Sequence, residues 1–187
     1  MKVSIGVSNR HVHLKQEDLY KLFGEGYTLE KVKDLNQPGQ YASNSFVDLK
    51  TDKGIIEHVR VLGPIRDYTQ VEISKTDSYK LGLNPPVRDS GDLYNSENIV
   101  IIGSKGEIVA HNSCIIATRH IHILPEQIKE YGLENKNIVS VRLSGEKGGI
   151  INNVHLKIAD NSFFEMHLDT DDANAHLVKN GDIGEII

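Results

Sequence analysis

The stretch SNRHVHL at residues 8–14 returns as ATRHIHI at residues 117–123. Arg-His-apolar-His-aliphatic is thus written twice in one chain, and the likeness runs further. The first copy continues into LKQEDLYKLFG and the second into LPEQIKEYG. Both continuations predict a short helix entered from a strand, because Leu19, Leu22 and Phe23 recur at helical spacing and Pro125 suits a first turn. Further on, GIIEHVRVLG from Gly54 matches GIINNVHLKI from Gly149 at an offset of 95, whereas the His pairs are offset by 109. The first half therefore carries 14 extra residues, assigned to a helical insertion at about residues 24–44 with its own turn at Pro38-Gly39. Carrying the offset of 95 forward places Glu72 in TQVEIS opposite His167 in FEMHLD. A duplicated unit predicts duplicated geometry.

Residues two apart on a strand share a face, so His11 and His13 project together while Arg10 and Val12 point away. Two adjacent imidazoles form a metal clamp, and zinc accepts both imidazole nitrogen and carboxylate oxygen. Six candidate ligands follow: His11, His13, Glu72, His120, His122 and His167. Two closed structural sites need eight ligands, so six shared by two ions leave positions open for water or substrate. The remaining histidines, His58, His111, His155 and His176, lack comparable geometry and read as surface or strand-end residues. Glu17 and Glu126 each follow a His pair by four residues, as in the His-x-His-x-x-x-Glu run of cupins. Their position in a first helical turn accounts for them through the helix dipole. The acidic run Asp169 to Asp172 reads as a solvated turn.

Composition narrows the classes further. Lys plus Arg total 21 against 26 acidic residues, a net charge of -5, which argues against a nucleic-acid partner. The sole cysteine, Cys114, lies in an apolar run with no activating neighbour and reads as a buried thiol in a reducing compartment. No apolar stretch reaches the roughly 20 residues of a membrane helix, so no membrane partner is expected. MKVSIGVSNR lacks a signal-peptide core and a targeting extension, which points to a cytoplasmic location. Strand signals dominate residues 45–117 and 138–187. NIVIIGSKGEIVAHNSCIIA reads as two strands around Ser104 to Gly106, and SKTDSYKLGLNPPVRDSGDL as a connector without chemistry. The fold class is mainly β: two small barrels or sandwiches with short helices.

SNRHVHL, KDLNQPGQYA, VRVLGPIRDYTQVEIS, ATRHIHI and the closing HLDTDDANA resemble, in order and spacing, the PduL-type phosphotransacylases, the phosphate propanoyltransferase family of bacterial microcompartments and fermentative metabolism. The resemblance implies two pseudo-symmetric β-barrel domains capped by short helices, one of residues 1–9 plus 118–187 and one of 10–117, with the active site at their interface. It implies interconversion of acyl-CoA plus phosphate with acyl phosphate plus coenzyme A, using two zinc ions per chain held by the six candidates above. Arg66 matches the phosphate-binding arginine, and a planar guanidinium suits phosphate oxygens. Ser8, Lys33, Arg60, Leu62, His167 and Asn174 fall where the family contacts coenzyme A. Absence of an N-terminal extension points to a cytoplasmic bacterial member or a trimmed microcompartment protein. Acetyl versus propanoyl preference and a homo-oligomeric state stay open. A cupin-like or structural zinc-binding protein is the alternative; the first has no use for Arg66 or Arg60 and releases no thiol from acyl-CoA, and the second closes its sites and shows no dependence on added phosphate.

Overall fold

The computed structural model describes residues 1–187. In chain order its elements are β1 (Lys2–Ser8), β2 (His11–His13), α1 (Gln16–Phe23), β3 (Lys31–Asp34), β4 (Tyr41–Lys50), β5 (Ile55–Gly63), β6 (Gln70–Glu72), α2 (Lys75–Leu81) and β7 (Val87–Arg88). There follow β8 (Glu97–Ile102), β9 (Glu107–Ala117), β10 (His120–Ile123), α3 (Pro125–Glu130), β11 (Ile138–Leu143), β12 (Gly149–Ile158), β13 (Glu165–Asp169), α4 (Thr170–His176) and β14 (Ile183–Ile186). The chain divides into two compact units, residues 1–9 with 118–187, and residues 10–117. No helix is long and apolar enough to cross a membrane.

The discontinuous unit is a closed six-stranded barrel in the order β1-β13-β10-β12-β11-β14. Alternation explains its interior: Val3 and Ile5 of β1, and Val139, Val141 and Leu143 of β11, turn inward and are almost fully buried with Ile121, Ile123, Met166 and Leu168. The first strand lies parallel to β13 and antiparallel to β14.

The contiguous unit repeats that plan. Its strands β4, β5, β2, β6 and β9 follow one another, and β8 pairs with both β4 and β9, closing a second ring of six. Strand senses correspond throughout: β2 lies parallel to β5 and antiparallel to β6, as β10 does to β12 and β13. In this ring β9 takes the place that β1 holds in the other, parallel to β6. Each His-x-His strand is thus preceded in sequence by a strand that closes the other unit's barrel. Val12, Leu19, Leu22, Val61, Val71, Ile99, Ile101 and Cys114 fill its core.

Both predicted helices form. Leu19, Leu22 and Phe23 are the buried face of α1, and α3 starts on Pro125 and buries Ile128. The insertion at residues 24–44 is not helical. It holds the fully exposed strand β3, paired antiparallel with β4, between turns with positive φ at Gly24, Gly26 and Gly39. Those glycines interrupt any helical run, and the alternating Lys-Val-Lys-Asp of β3 suits an edge strand whose charges discourage further pairing. The connector after Ser74 carries α2, and the acidic run after Asp169 begins α4 rather than a solvated turn.

Candidate functional site

In the contiguous unit, antiparallel pairing sets His11 opposite Glu72 and His13 opposite Gln70. Val71 sends its side chain into the core, so Gln70 and Glu72 share the other face. His11 Nε2 lies 3.4 Å from Glu72 Oε2, and the His11 and His13 rings stand edge to face with centroids 5.1 Å apart. Zinc bonds of about 2.0–2.1 Å in tetrahedral geometry separate neighbouring ligand atoms by about 3.3 Å. The residues present fit a metal ion, and His11, His13 and Glu72 converge as one potential ligand group.

The carboxylate of Glu72 is held by its neighbours. Gln70, fully buried, donates from Nε2 to Glu72 Oε1 at 2.6 Å and to Ser90 Oγ at 2.8 Å, while its Oε1 accepts from the Gly91 backbone N–H at 2.7 Å. Arg66 Nη1 donates to the same Ser90 Oγ and to Tyr68 Oη, both at 3.1 Å. Its backbone N–H binds Leu14 O, just beyond the His strand. A continuous series of hydrogen bonds therefore runs from the Arg66 guanidinium through Ser90 and Gln70 to Glu72. Ser90 belongs to the segment expected to be a connector only.

The discontinuous unit reproduces the arrangement with three imidazoles. His120 lies opposite His167 and His122 opposite Glu165. His120 Nδ1 is 2.8 Å from the Thr118 carbonyl, which can only accept, so the proton sits on Nδ1 and Nε2 carries the lone pair. That Nε2 is 3.1 Å from His122 Nε2, again near the spacing of two ligands on one ion. The His167 ring centroid lies 5.1 Å from that of His120 and 4.8 Å from that of His122, and the three form the second potential ligand group. Burial, then the proximity of His120, His167 and Lys157, pushes His122 down to about 2, so at neutral pH it offers a lone pair.

A matched clamp borders each group. Arg10 Nε and Nη2 meet Asp77 Oδ2 and Oδ1 at 2.9 and 2.8 Å, and Arg119 Nε meets Asp172 Oδ2 at 2.7 Å. Asp77 and Asp172 are the third residues of α2 and α4, and their backbone N–H groups are capped by Ser74 Oγ at 3.1 Å and Asp169 Oδ1 at 2.8 Å. Arg10 does point away from the histidines, and Asp77 is what it points to. These partners went unrecognised in sequence, although the offset of 95 that links Glu72 to His167 also links Asp77 to Asp172 and Ser74 to Asp169.

The other candidates disperse over the two units. Ser8 lies at the end of β1 opposite Asp169, and Asn174 is exposed on α4. Lys33 is exposed on β3, and Leu62 is half-buried opposite Ala42. Arg60 donates to Ser43 O and lies over the Phe46 ring at 4.4 Å, whose stacking partner is His58, with ring centroids 3.7 Å apart. His176 faces Lys147 O, outside both groups. Cys114 is fully buried, and burial pushes its thiol up to about 12.

Residues 4–179 match the family described as phosphate propanoyltransferase. A protein of that name from Thermotoga maritima is 51% identical over 186 residues, 99% of this chain and 89% of its own. One from Priestia megaterium is 49% identical over 97% of this chain and 84% of its own, and one from Rhodopseudomonas palustris 44% over 99% and 82%. Likeness of this extent spans both units and every candidate residue discussed above, and the chain belongs to the phosphate propanoyltransferase family.

Proposed function

We propose that this protein transfers an acyl group, propanoyl or acetyl, between coenzyme A and phosphate, with a zinc ion in each of the two ligand groups. The observation that carries the reading is the hydrogen-bonded series Arg66–Ser90–Gln70–Glu72, which ties a guanidinium to a metal-ligating carboxylate. A purely structural metal site has no use for such a cation. Zinc held by His11, His13 and Glu72, and by His120, His122 and His167, would supply Lewis acidity with coordination positions left for substrate.

The chain's own residues do the rest. Arg66 commits Nη1 to Tyr68 and Ser90, leaving its Nε and Nη2 edge to hold two phosphate oxygens side by side. A phosphate oxygen then forms a bond to the thioester carbonyl carbon, the carbon–sulfur bond breaks, and coenzyme A leaves as a thiolate that takes a proton from solvent. Arg66 balances charge that develops on the phosphate and carbonyl oxygens. Lys33 and Arg60 suit the phosphates of coenzyme A, with Ser8, Leu62, His167 and Asn174 as further contacts. Relatives that carry the name phosphate propanoyltransferase support a short acyl group.

Free thiol released from propanoyl-CoA or acetyl-CoA in the presence of phosphate tests the reaction, with zinc content measured beside rate. Arg66→Ala is expected to retain zinc and lose about 100-fold or more in rate. Arg66→Lys recovers part, because a point charge replaces a planar fork. Glu72→Ala loses metal and rate together. An Arg66→Ala protein with full rate and full phosphate affinity overturns the assignment.

A further inference from the structure

We infer that Gln70 and Glu165 are equivalent positioning residues, each orienting the third metal ligand of its own unit, and that the two repeats have exchanged the places of carboxylate and neutral group. The inference rests on the metal-binding reading above. Gln70 and Glu165 are related by the offset of 95, stand two residues before Glu72 and His167, and lie opposite the second histidine of each pair, His13 and His122. Both are buried. Gln70 donates to Glu72 at 2.6 Å, and Glu165 Oε2 lies 2.9 Å from His167 Nε2.

Donor and acceptor are matched in each pair. A carboxylate ligand needs a donor on its spare oxygen, and the Gln70 amide supplies one to Oε1 while Oε2 faces His11. An imidazole ligand needs an acceptor on its spare nitrogen, and Glu165 supplies it, holding the proton on Nε2 and leaving Nδ1 with the lone pair. Each repeat thus carries one carboxylate in this pair of positions, as the ligand in one and as its orienter in the other. Space has been kept for the second arrangement: a Cβ at Gly6 would lie 2.8 Å from Glu165 Oε2, so only glycine in β1 admits this carboxylate undisturbed.

Zinc affinity, measured by competition with a chromophoric chelator, reads the effect without any turnover. Wild-type protein is expected to bind two equivalents. Glu165→Ala weakens one site by about 10–100-fold; Glu165→Gln, which keeps an acceptor oxygen, weakens it less. Gln70→Glu, isosteric but setting acceptor against acceptor, weakens the other site at least as much as Gln70→Ala. Nitrogen-15 spectra of the metal-free wild-type protein, which need no variant, should show His167 protonated on Nε2 and His120 on Nδ1. Unchanged affinities in every variant, or a His167 proton on Nδ1, overturn the inference while two bound zinc ions leave the metal reading standing. Wild-type protein that binds no zinc overturns both. Cobalt-substituted Glu165→Ala whose absorption shows loss of an oxygen ligand would make Glu165 a ligand instead and equally overturn its positioning role.

Discussion

Replacing Asp77 by alanine should cost about 2 kcal/mol of folding stability, and replacing Asp172 clearly less, despite their equivalent places. Asp77 is 6% exposed, receives two guanidinium N–H bonds from Arg10, and accepts the Ser74 backbone N–H at 3.3 Å in a reciprocal cap of α2. The Arg10 side chain is 35% exposed, so solvent screening limits the ion pair to about 1 kcal/mol. Loss of the capping interaction adds about 1 kcal/mol. Asp172 makes a single-nitrogen contact to a more exposed arginine, worth about 0.5 kcal/mol. For a chain of this length each kcal/mol moves Tm by about 2–4 °C. Thermal and urea unfolding of both variants, with an Arg10→Ala/Asp77→Ala double-mutant cycle, measures the ordering and a coupling of about 1 kcal/mol. Equal losses for Asp77→Ala and Asp172→Ala, or no coupling, would refute the assignment of the difference to burial and the reciprocal cap.

Cys114 should resist maleimide in the native state at pH 8, because burial holds it protonated until pH approaches 12; the thiolate and the labelling rate grow as pH rises. Labelling of native protein at the rate of a free thiol would contradict its burial. Lys33→Ala and Arg60→Ala should raise KM for acyl-CoA and weaken its salt dependence, with phosphate kinetics little changed; an unaltered acyl-CoA KM in both removes them from the coenzyme site. Chelation should abolish thiol release, and His11→Ala and His120→Ala should each lower bound zinc, measured by elemental analysis against protein concentration. Undiminished stoichiometry in both variants would move the ligands elsewhere.

The barrel symmetry was legible because it is written locally. His-x-His, the helix after it and the apolar strand from Gly54 or Gly149 each recur as contiguous text, and the strand signals over residues 138–187 are met by β11 to β14. The residues that hold the candidate ligands were not legible in the same way. Ser90 reaches Gln70 from 20 residues downstream and Asp77 reaches Arg10 across 67, contacts that exist only once the strands between them have paired. Ser90 in a Pro- and Gly-rich stretch looks like any loop serine. The insertion is the opposite case: its extra length is legible from the two offsets, but its charged, alternating Lys31 to Asp34 and its glycine turns specify an edge strand in place of the expected helix.

The allocation of β1 has a consequence for the order in which the protein can assemble during synthesis. Residues 10–117 hold all strands of their own ring and can complete it as soon as β9 emerges. By contrast β1, whose Val3 and Ile5 end up buried, is made before the rest of its barrel and has no partner until β13 and β14 appear more than 150 residues later. For most of translation it is an unpaired apolar strand, the kind of segment on which chaperones act and aggregation begins. The pairing of residues 1 and 186 offers the remedy: the Met1 nitrogen lies 3.1 Å from Ile186 O, and Ile186 N–H donates to Met1 O at 2.7 Å. A circular permutant with a short turn joining Ile187 to Met1, reopened between Asn9 and Arg10, would make both barrels contiguous in sequence and leave no strand waiting.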